Sequence, residues 1–285
     1  MPANPLRPIR LIADDYALAP GVSLAIIELA EMGRLSGTGA MTISPFWVEH
    51  ADWIRSLADR VAIGLHFTLT DRPPLGPMPR LAPLGRLPSL ASLLLKAHVG
   101  RIEPGEIGAE LDRQIDAFER ALGRSPAFLD GHQHVHVLPG VREPVLAALR
   151  GRLKGAWLRD VTLDPRALLQ GPAPAKAALI AALGLGLAWA AHAHNIPMNR
   201  GFRGIHDFSG RVPYPVLFRR FLAGLPAGGL VMCHPGRVDD ALRQADPLTH
   251  GREAELAFFL SQDFPKALAE MGVAIESLSS PPPIG

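Results

Sequence analysis

The sequence predicts an α/β fold, a single-domain irregular (β/α) TIM-like barrel, on three observations. Short apolar runs alternate with amphipathic stretches along nearly the whole chain, the rhythm of a parallel sheet with helical crossovers. Seven or eight such units follow one another with no internal repeat and no inter-domain linker. Polar residues able to do chemistry gather just after the apolar runs, at the strand ends where parallel barrels and open α/β sheets build their sites. A doubly wound open sheet is the alternative, but no G-x-G-x-x-G follows any candidate strand. At 285 residues the chain is longer than the roughly 100–200 of an ordinary domain and within the range of one-domain barrels.

Taken in order, IRLIADD (9–15) reads as a strand and GVSLAIIELAEMG (21–33) as a helix closed by a glycine suited to a C-cap. GTGAMTIS (37–44) is a second strand, WVEHADWIRSLA (47–58) a helix and VAIGLHFTLT (61–70) a third strand. Prolines then break the rhythm between 71 and 104, marking an insertion with one short helix near 89–98. In 105–123 the apolar residues Ile107, Leu111, Ile115, Phe118 and Leu122 recur at helical spacing. A histidine-rich strand (127–137), a helix (141–153) and a short strand (156–161) follow, then a second insertion over 162–200 around the apolar window 177–191. RGIHDFSG (203–210), a helix (214–225), a strand (228–234), a long helix (252–272) and a strand (273–278) complete the pattern, and SSPPPIG reads as a loose tail.

Hydrophobic residues make up 48% of the chain and charged residues 20%, and a formal net charge of +2 gives no ground for a nucleic-acid partner. The one cysteine, Cys233, excludes an intrachain disulfide and fits a reducing compartment. Two aspartates interrupt the N-terminal apolar run too early for a signal peptide, so the expected location is the cytoplasm. The window 177–191 is shorter than the roughly 20 residues of a spanning helix. It admits two readings: a buried or capping helix, or a surface that leans on an apolar substrate or on the inner membrane face.

The segment FLDGHQHVHVLP (128–139) places three of the chain's 11 histidines at alternate positions. On a strand, His132, His134 and His136 would point one way and Gln133 and Val135 the other, so three imidazoles would share one space. Asp14 and Asp15 end the first strand, His66 follows VAIGL, Asp130 precedes the histidine row, Arg159 follows AWL and His234 follows LVMC. A turn, an N-cap or a hydrogen-bonded core histidine explains any one of these. Five strand ends obeying one rule point to a site. Two imidazoles and a carboxylate make a three-ligand divalent-metal site with room for water, and we select Asp15, His66 and His132, leaving the other aspartate for proton transfer. His134 and His136 would line the cavity or support the ligands, Asp130 would orient a ligand imidazole, and His234 would face the cavity as an acid. Cys233 faces away from its neighbour His234, which disfavours a thiol nucleophile, and Ser23, Ser36 and Ser44 lack a G-x-S-x-G setting.

Four ordered segments, ADDYALAPGVSLAIIELAEMGRLSGT, IGLHFTLT, LDGHQHVHVLP and LVMCHPG, resemble the YdjC/ChbG-like carbohydrate deacetylases over nearly the whole chain. The resemblance implies an irregular (β/α) barrel that uses a divalent metal ion to remove acetyl from N-acetylated sugars. It implies Asp15, His66 and His132 as metal ligands, Asp14 as the catalytic base and His234 as the acid. Tyr16 stands where the family usually has phenylalanine, and its hydroxyl is expected at a cavity edge. NRGFRGIHDFSG and the apolar insertion are more similar to the hopanoid-biosynthesis-associated branch than to the chitin-disaccharide branch. That similarity implies an N-acetylglucosaminyl lipid as substrate.

The reaction so implied is hydrolysis of an acetamide, with one bound divalent cation to activate water and polarise the carbonyl while Asp14 takes the proton. Arg159 would steady the base or a substrate oxygen, or serve as a structural ion pair. Zinc fits the ligand set best, with magnesium, manganese, cobalt or nickel as alternatives. Two rivals stand beside this reading. One is a binuclear amidohydrolase or phosphoesterase, whose H-x-H belongs at the end of the first strand, where this chain has aspartates. The other is a non-catalytic sugar- or lipid-binding module. The oligomeric state and the acceptor sugar are not legible in the sequence.

Overall fold

In the computed structural model, which describes residues 6–164, 168, 173–249 and 251–277, a parallel sheet curls into a half-barrel with helices packed against it. The elements in chain order are β1 (Arg7–Tyr16), α1 (Pro20–Glu31), β2 (Gly37–Ala40), α2 (Trp47–Ile54), β3 (Ala62–Phe67), α3 (Leu90–His98) and α4 (Pro104–Leu122). There follow β4 (Phe128–Gly131), α5 (Arg142–Arg150), β5 (Trp157–Leu158), α6 (Pro174–Ala193), β6 (Phe202–Arg203), α7 (Tyr214–Leu222) and β7 (Gly229–Cys233). The last are α8 (Asp240–Ala245), α9 (Arg252–Leu260), α10 (Asp263–Glu270) and β8 (Val273–Ile275). The strand order is β5-β4-β3-β2-β1-β7-β6, every pair is parallel, and β8 joins the first half of β1. This is the irregular, incompletely closed (β/α) barrel that the sequence predicts. Among the described residues the two sheet ends meet through a bridge from Leu158 to Met198 and through Asn199, whose side chain bonds both Asp160 and Gly201.

Local chemistry sets the elements that carry the site. Pro20 starts α1 with its φ already helical, and Gly33, at φ 67°, ends it as expected. All five apolar residues read from 105–123 are buried in α4, and so are Glu110 and Gln114. Gln114 clasps the main chain of Thr68, accepting from its N–H at 3.1 Å and donating to its carbonyl at 2.9 Å, and so fixes the loop after β3. On β2 a Cβ at Gly39 would lie 2.9 Å from His66 Nδ1, so glycine leaves the room that this imidazole occupies.

Several expectations are corrected. The histidine strand ends at Gly131, and His132–Val137 form a tight turn in which Gln133 and His134 adopt φ 53° and 59°. The chain folds back so closely that a Cβ at 131 would sit 2.8 Å from His136 N, so the alternation of a strand does not apply to the row. The long helix 252–272 is two helices, broken after Leu260, where Pro265 cannot supply the N–H that a continuous helix needs. Helix α8, capped by the Asp239 carboxylate, is not legible in the sequence pattern. Tyr16 is not at a cavity edge: it is fully buried, and its hydroxyl donates to the His50 carbonyl at 2.5 Å. The apolar window belongs to α6, which caps the barrel with one side, including Ala177, Ile180, Leu187 and Ala191, in the core and leaves the other outside, so that 28% of its 18-residue apolar stretch is buried. The tail SSPPPIG and the stretches 165–167 and 169–172 of the second insertion lie outside the described residues.

His50 on α2 is buried between Phe46 and Trp53, with Nδ1 2.8 Å from Ser23 Oγ on α1. Burial, working against the charge of Asp239, lowers its pKa from 6.5 to about 4. Between those values the unfolded chain binds a proton that the folded chain refuses, so stability is full above pH 6.5 and is lost as pH falls towards 4. The slope is up to about 1.4 kcal/mol per pH unit from this one group. Urea unfolding of wild type and His50→Gln from pH 7 to pH 4.5 checks this: the difference in stability between them should shrink on acidification, and a constant difference would contradict it.

Candidate active site

The site starts from an irregularity in β1. Ala13 pairs with Thr38 and Tyr16 with Ala40, so β1 spends one residue more than β2 over this stretch. Asp15 takes up the excess at φ 69°. In a regular strand Asp14 and Asp15 would face opposite ways; with the bulge both line one cavity of about 370 Å³ at the C-terminal edge of the sheet. His66, His132, Gln133, His134 and His234 line it too.

Asp15 Oδ1 lies 2.9 Å from His132 Nδ1 and 3.4 Å from His66 Nε2, and one ligand atom from each of the three residues falls within 4.8 Å of the others. The donor set is two imidazoles and a carboxylate, open on the cavity side, which fits a divalent cation with positions left for water. His66 is already oriented for it: Nδ1 donates to Asp130 Oδ1 at 2.6 Å, which turns Nε2 towards Asp15. Burial lowers the pKa of His66, but Asp130 first, then Asp14 and Asp15, outweigh burial and raise it to about 10. The potential that holds a proton on this ring also favours a metal cation there. Burial pushes the Asp15 carboxyl up, yet Arg252, His132 and His66 bring it well below the usual range.

Two buried arginines hold the carboxylates. Arg159 donates to both oxygens of Asp14, at 2.6 and 2.7 Å, and its Nη2 lies 2.5 Å from Asp130 Oδ2. Arg252 Nη2 donates to Asp15 Oδ2 at 2.7 Å and to Asp246 Oδ2 at 2.8 Å, which leaves Asp15 Oδ1 to the two histidines. A second group with metal-ligand spacing, Asp14, His66 and Asp130, shares His66 with the first and is already occupied by the Arg159 guanidinium.

The structure thus brings Asp14, Asp15, His66, His132, His134 and His234 to the cavity and puts Asp130 and Arg159 directly behind them. His136 is the exception. It is fully buried, off the cavity, with Nε2 3.2 Å from the Arg159 carbonyl, so the three imidazoles of the row do not share one space. Gln133, expected on the opposite side, faces the cavity because of the turn. His234 Nε2 is 3.9 Å from Asp14 Oδ2, the His234 main-chain N–H donates to Glu255 Oε2 at 2.6 Å, and 14% of the side chain is exposed. Burial, opposed by Asp15 and Asp14, lowers its pKa to about 3, so it rests as a neutral imidazole. Cys233 faces away, with its thiol against the Ile12 carbonyl and its pKa raised by burial.

Sequence reasoning missed Arg252, Glu255 and Asp246. A signal existed: Arg252, Glu255, Leu256 and Phe259 fall at i, i+3, i+4 and i+7 on α9 and are all buried, so two charges sit on the apolar face of a helix. Such a face rarely carries unpaired charge, and here both members reach the site.

The chain is similar to several known proteins. The chitooligosaccharide deacetylase of Enterobacter sp. (strain 638) is 30% identical over 278 residues, covering 93% of this chain and 95% of the relative. That of Klebsiella pneumoniae (strain 342) is 30% identical over 264 residues, covering 91% and 93%. A crystal structure from Enterococcus faecalis V583, described as a cellobiose-phosphate cleavage protein, superposes with a TM-score of 0.75 at 21% identity over 95% of this chain and 97% of its own, a likeness of fold. The model of the YdjC-like protein family matches residues 8–270, and the chain belongs to that family.

Proposed function

We propose that the protein is a metal-dependent carbohydrate N-deacetylase that hydrolyses the acetamide of an N-acetylated amino sugar. The observation that carries this reading is the convergence of Asp15, His66 and His132 beside a second carboxylate, Asp14, in a chain whose relatives are chitooligosaccharide deacetylases. Asp15, His66 and His132 would hold one divalent cation, zinc by its preference for nitrogen and oxygen donors, which supplies Lewis acidity to the amide carbonyl and lowers the pKa of water. Asp14 takes the proton of the attacking water, with Arg159 fixing the plane of its carboxylate. His234, neutral at rest, must accept a proton before it can give one to the leaving amine, and Asp14 is the nearest source at 3.9 Å. Asp130 orients His66, and His134 lines the cavity where substrate hydroxyls would lie. The Arg159 guanidinium beside Asp14 and Asp130 favours this one-ion reading over a binuclear hydrolase.

The cavity also favours a substrate with an apolar part. Leu90 and Leu94 from α3, with Leu179, Ile180 and Leu183 from α6, form one wall, which a free chitooligosaccharide would not use. This supports an N-acetylglucosaminyl hopanoid or a comparable lipid-linked amino sugar, met at the cytoplasmic face of the inner membrane, with residues 1–285 acting as one deacetylase domain.

Acetate release from N-acetylglucosamine oligomers and from an N-acetylglucosaminyl lipid, with and without chelator, tests the activity; release that survives complete metal removal would contradict it. Asp14→Asn should keep its metal and lose about 10²–10⁴-fold in kcat; near-normal turnover would place the base elsewhere. Asp130→Asn should weaken metal binding about 10–100-fold in a calorimetric titration, whereas His132→Ala should abolish stoichiometric binding. Unchanged affinity in either variant would remove that residue from its role.

A further inference from the structure

Residues 72–102 and 165–206, which take up most of the two insertions and run on to His206, contain none of the chain's 27 carboxylates, although together they make up about a quarter of its length; Asp71, Glu103, Asp164 and Asp207 flank them. The two stretches do contain cations. Arg80 and Arg203 are paired with Glu103 and Asp164, but Arg86, Lys96, Arg101 and Lys176 take part in no ion pair among the described residues. The same stretches expose large apolar side chains: Leu84 is 94% exposed, Leu95 65%, Leu185 62% and Trp189 77%.

On α6 these side chains form a line. Ala178, Ala182, Leu185 and Trp189 are exposed and follow one another at three- or four-residue spacing, and between Lys176 and His192 the helix carries no ionisable side chain. A helix on the surface of a water-soluble protein ordinarily puts charges on its solvent side. The opposite side, with Ala177, Ile180, Gly184, Leu187 and Ala191, is built into the core, and a Cβ at Gly184 would meet Val161 at 2.9 Å. The helix is therefore fixed along its length and can lie on an apolar phase without crossing it. Leu179 joins this surface to the site: it is half exposed and also lines the cavity.

We propose that the face formed by α6 and the loop and helix around α3 docks the protein on an anionic lipid bilayer, with Leu185 and Trp189 in the headgroup boundary and the cavity mouth turned towards lipid. The pattern of charge selects this occupant. A second copy of the chain meeting the same face about a two-fold axis would bring these cations against cations, whereas an anionic surface complements two stretches of chain that carry unpaired cations and no carboxylate of their own. Tryptophan at the edge of an apolar stripe suits the interface between acyl chains and headgroups. The surface rests on the lipid-linked reading of the substrate for its use, and on exposure and charge for its evidence.

Cosedimentation of the full chain with vesicles of phosphatidylcholine, and of phosphatidylcholine with phosphatidylglycerol, tests it without any substrate. Binding should be stronger to the anionic vesicles and should fall with added salt. Leu185→Glu with Trp189→Glu should weaken it about tenfold or more, while acetate release from a soluble N-acetylglucosamine oligomer stays as in wild type. Lys96→Gln with Arg101→Gln should reduce the preference for phosphatidylglycerol. No binding to either vesicle, binding that the Leu185 and Trp189 changes leave intact, or a wild-type dimer that these changes convert to a vesicle-indifferent monomer would each overturn the proposal. Vesicle binding by a protein that releases no acetate would retain the surface and reject the activity; acetate release without vesicle binding would do the reverse.

Discussion

Three carboxylates, Asp14, Asp15 and Asp130, meet at one edge of the sheet with almost no contact with water, and two buried arginines make that arrangement tenable. Charges taken out of water survive only when paired and hydrogen-bonded, and removing one partner of such a pair costs about 3–5 kcal/mol. Arg159 spans Asp14 and Asp130; Arg252 ties Asp15 to Asp246. With Asp246 on the same guanidinium as Asp15, four carboxylates stand against two arginines, leaving two in excess, and His66, whose pKa Asp130, Asp14 and Asp15 raise to about 10, balances one of them. A divalent cation can take over that balance. The rest of the site follows from this charge arrangement: which oxygen of Asp15 is left open, which nitrogen of His66 faces it, and where Asp14 stands.

The fold serves the arrangement by bringing five strand ends together in register. His66 lies directly opposite Asp130 in the β3–β4 ladder, so their contact is set by strand pairing before any side chain chooses a rotamer. The bulge in β1 does the complementary task, since without the extra residue Asp14 and Asp15 would sit on opposite faces. Gly39 and Gly131 supply the empty space that these groups fill.

Much of this was legible in the sequence because a strand end reads as a polar residue after an apolar run. Asp14, Asp15, His66, Asp130, Arg159 and His234 all stand out in that way, and all six come to the site. The histidine row misled because a period of two is evidence of a strand only while the chain stays in the sheet; after Gly131 it does not, and His136 turns into the core. Arg252 and Glu255 lie more than 230 residues from Asp15 along the chain, on a helix whose position no local pattern announces. The apolar window at 177–191 was visible as composition, but whether it faced the core or the outside depended on which side of α6 the barrel covered.

Anomalous X-ray scattering from crystals of the zinc-loaded protein tests the central claim most directly. The account predicts one peak per chain, in contact with Asp15, His66 and His132, with Arg159 still between Asp14 and Asp130. A peak bound instead by Asp14 and Asp130 with Arg159 displaced, or a pair of adjacent ions, would contradict it.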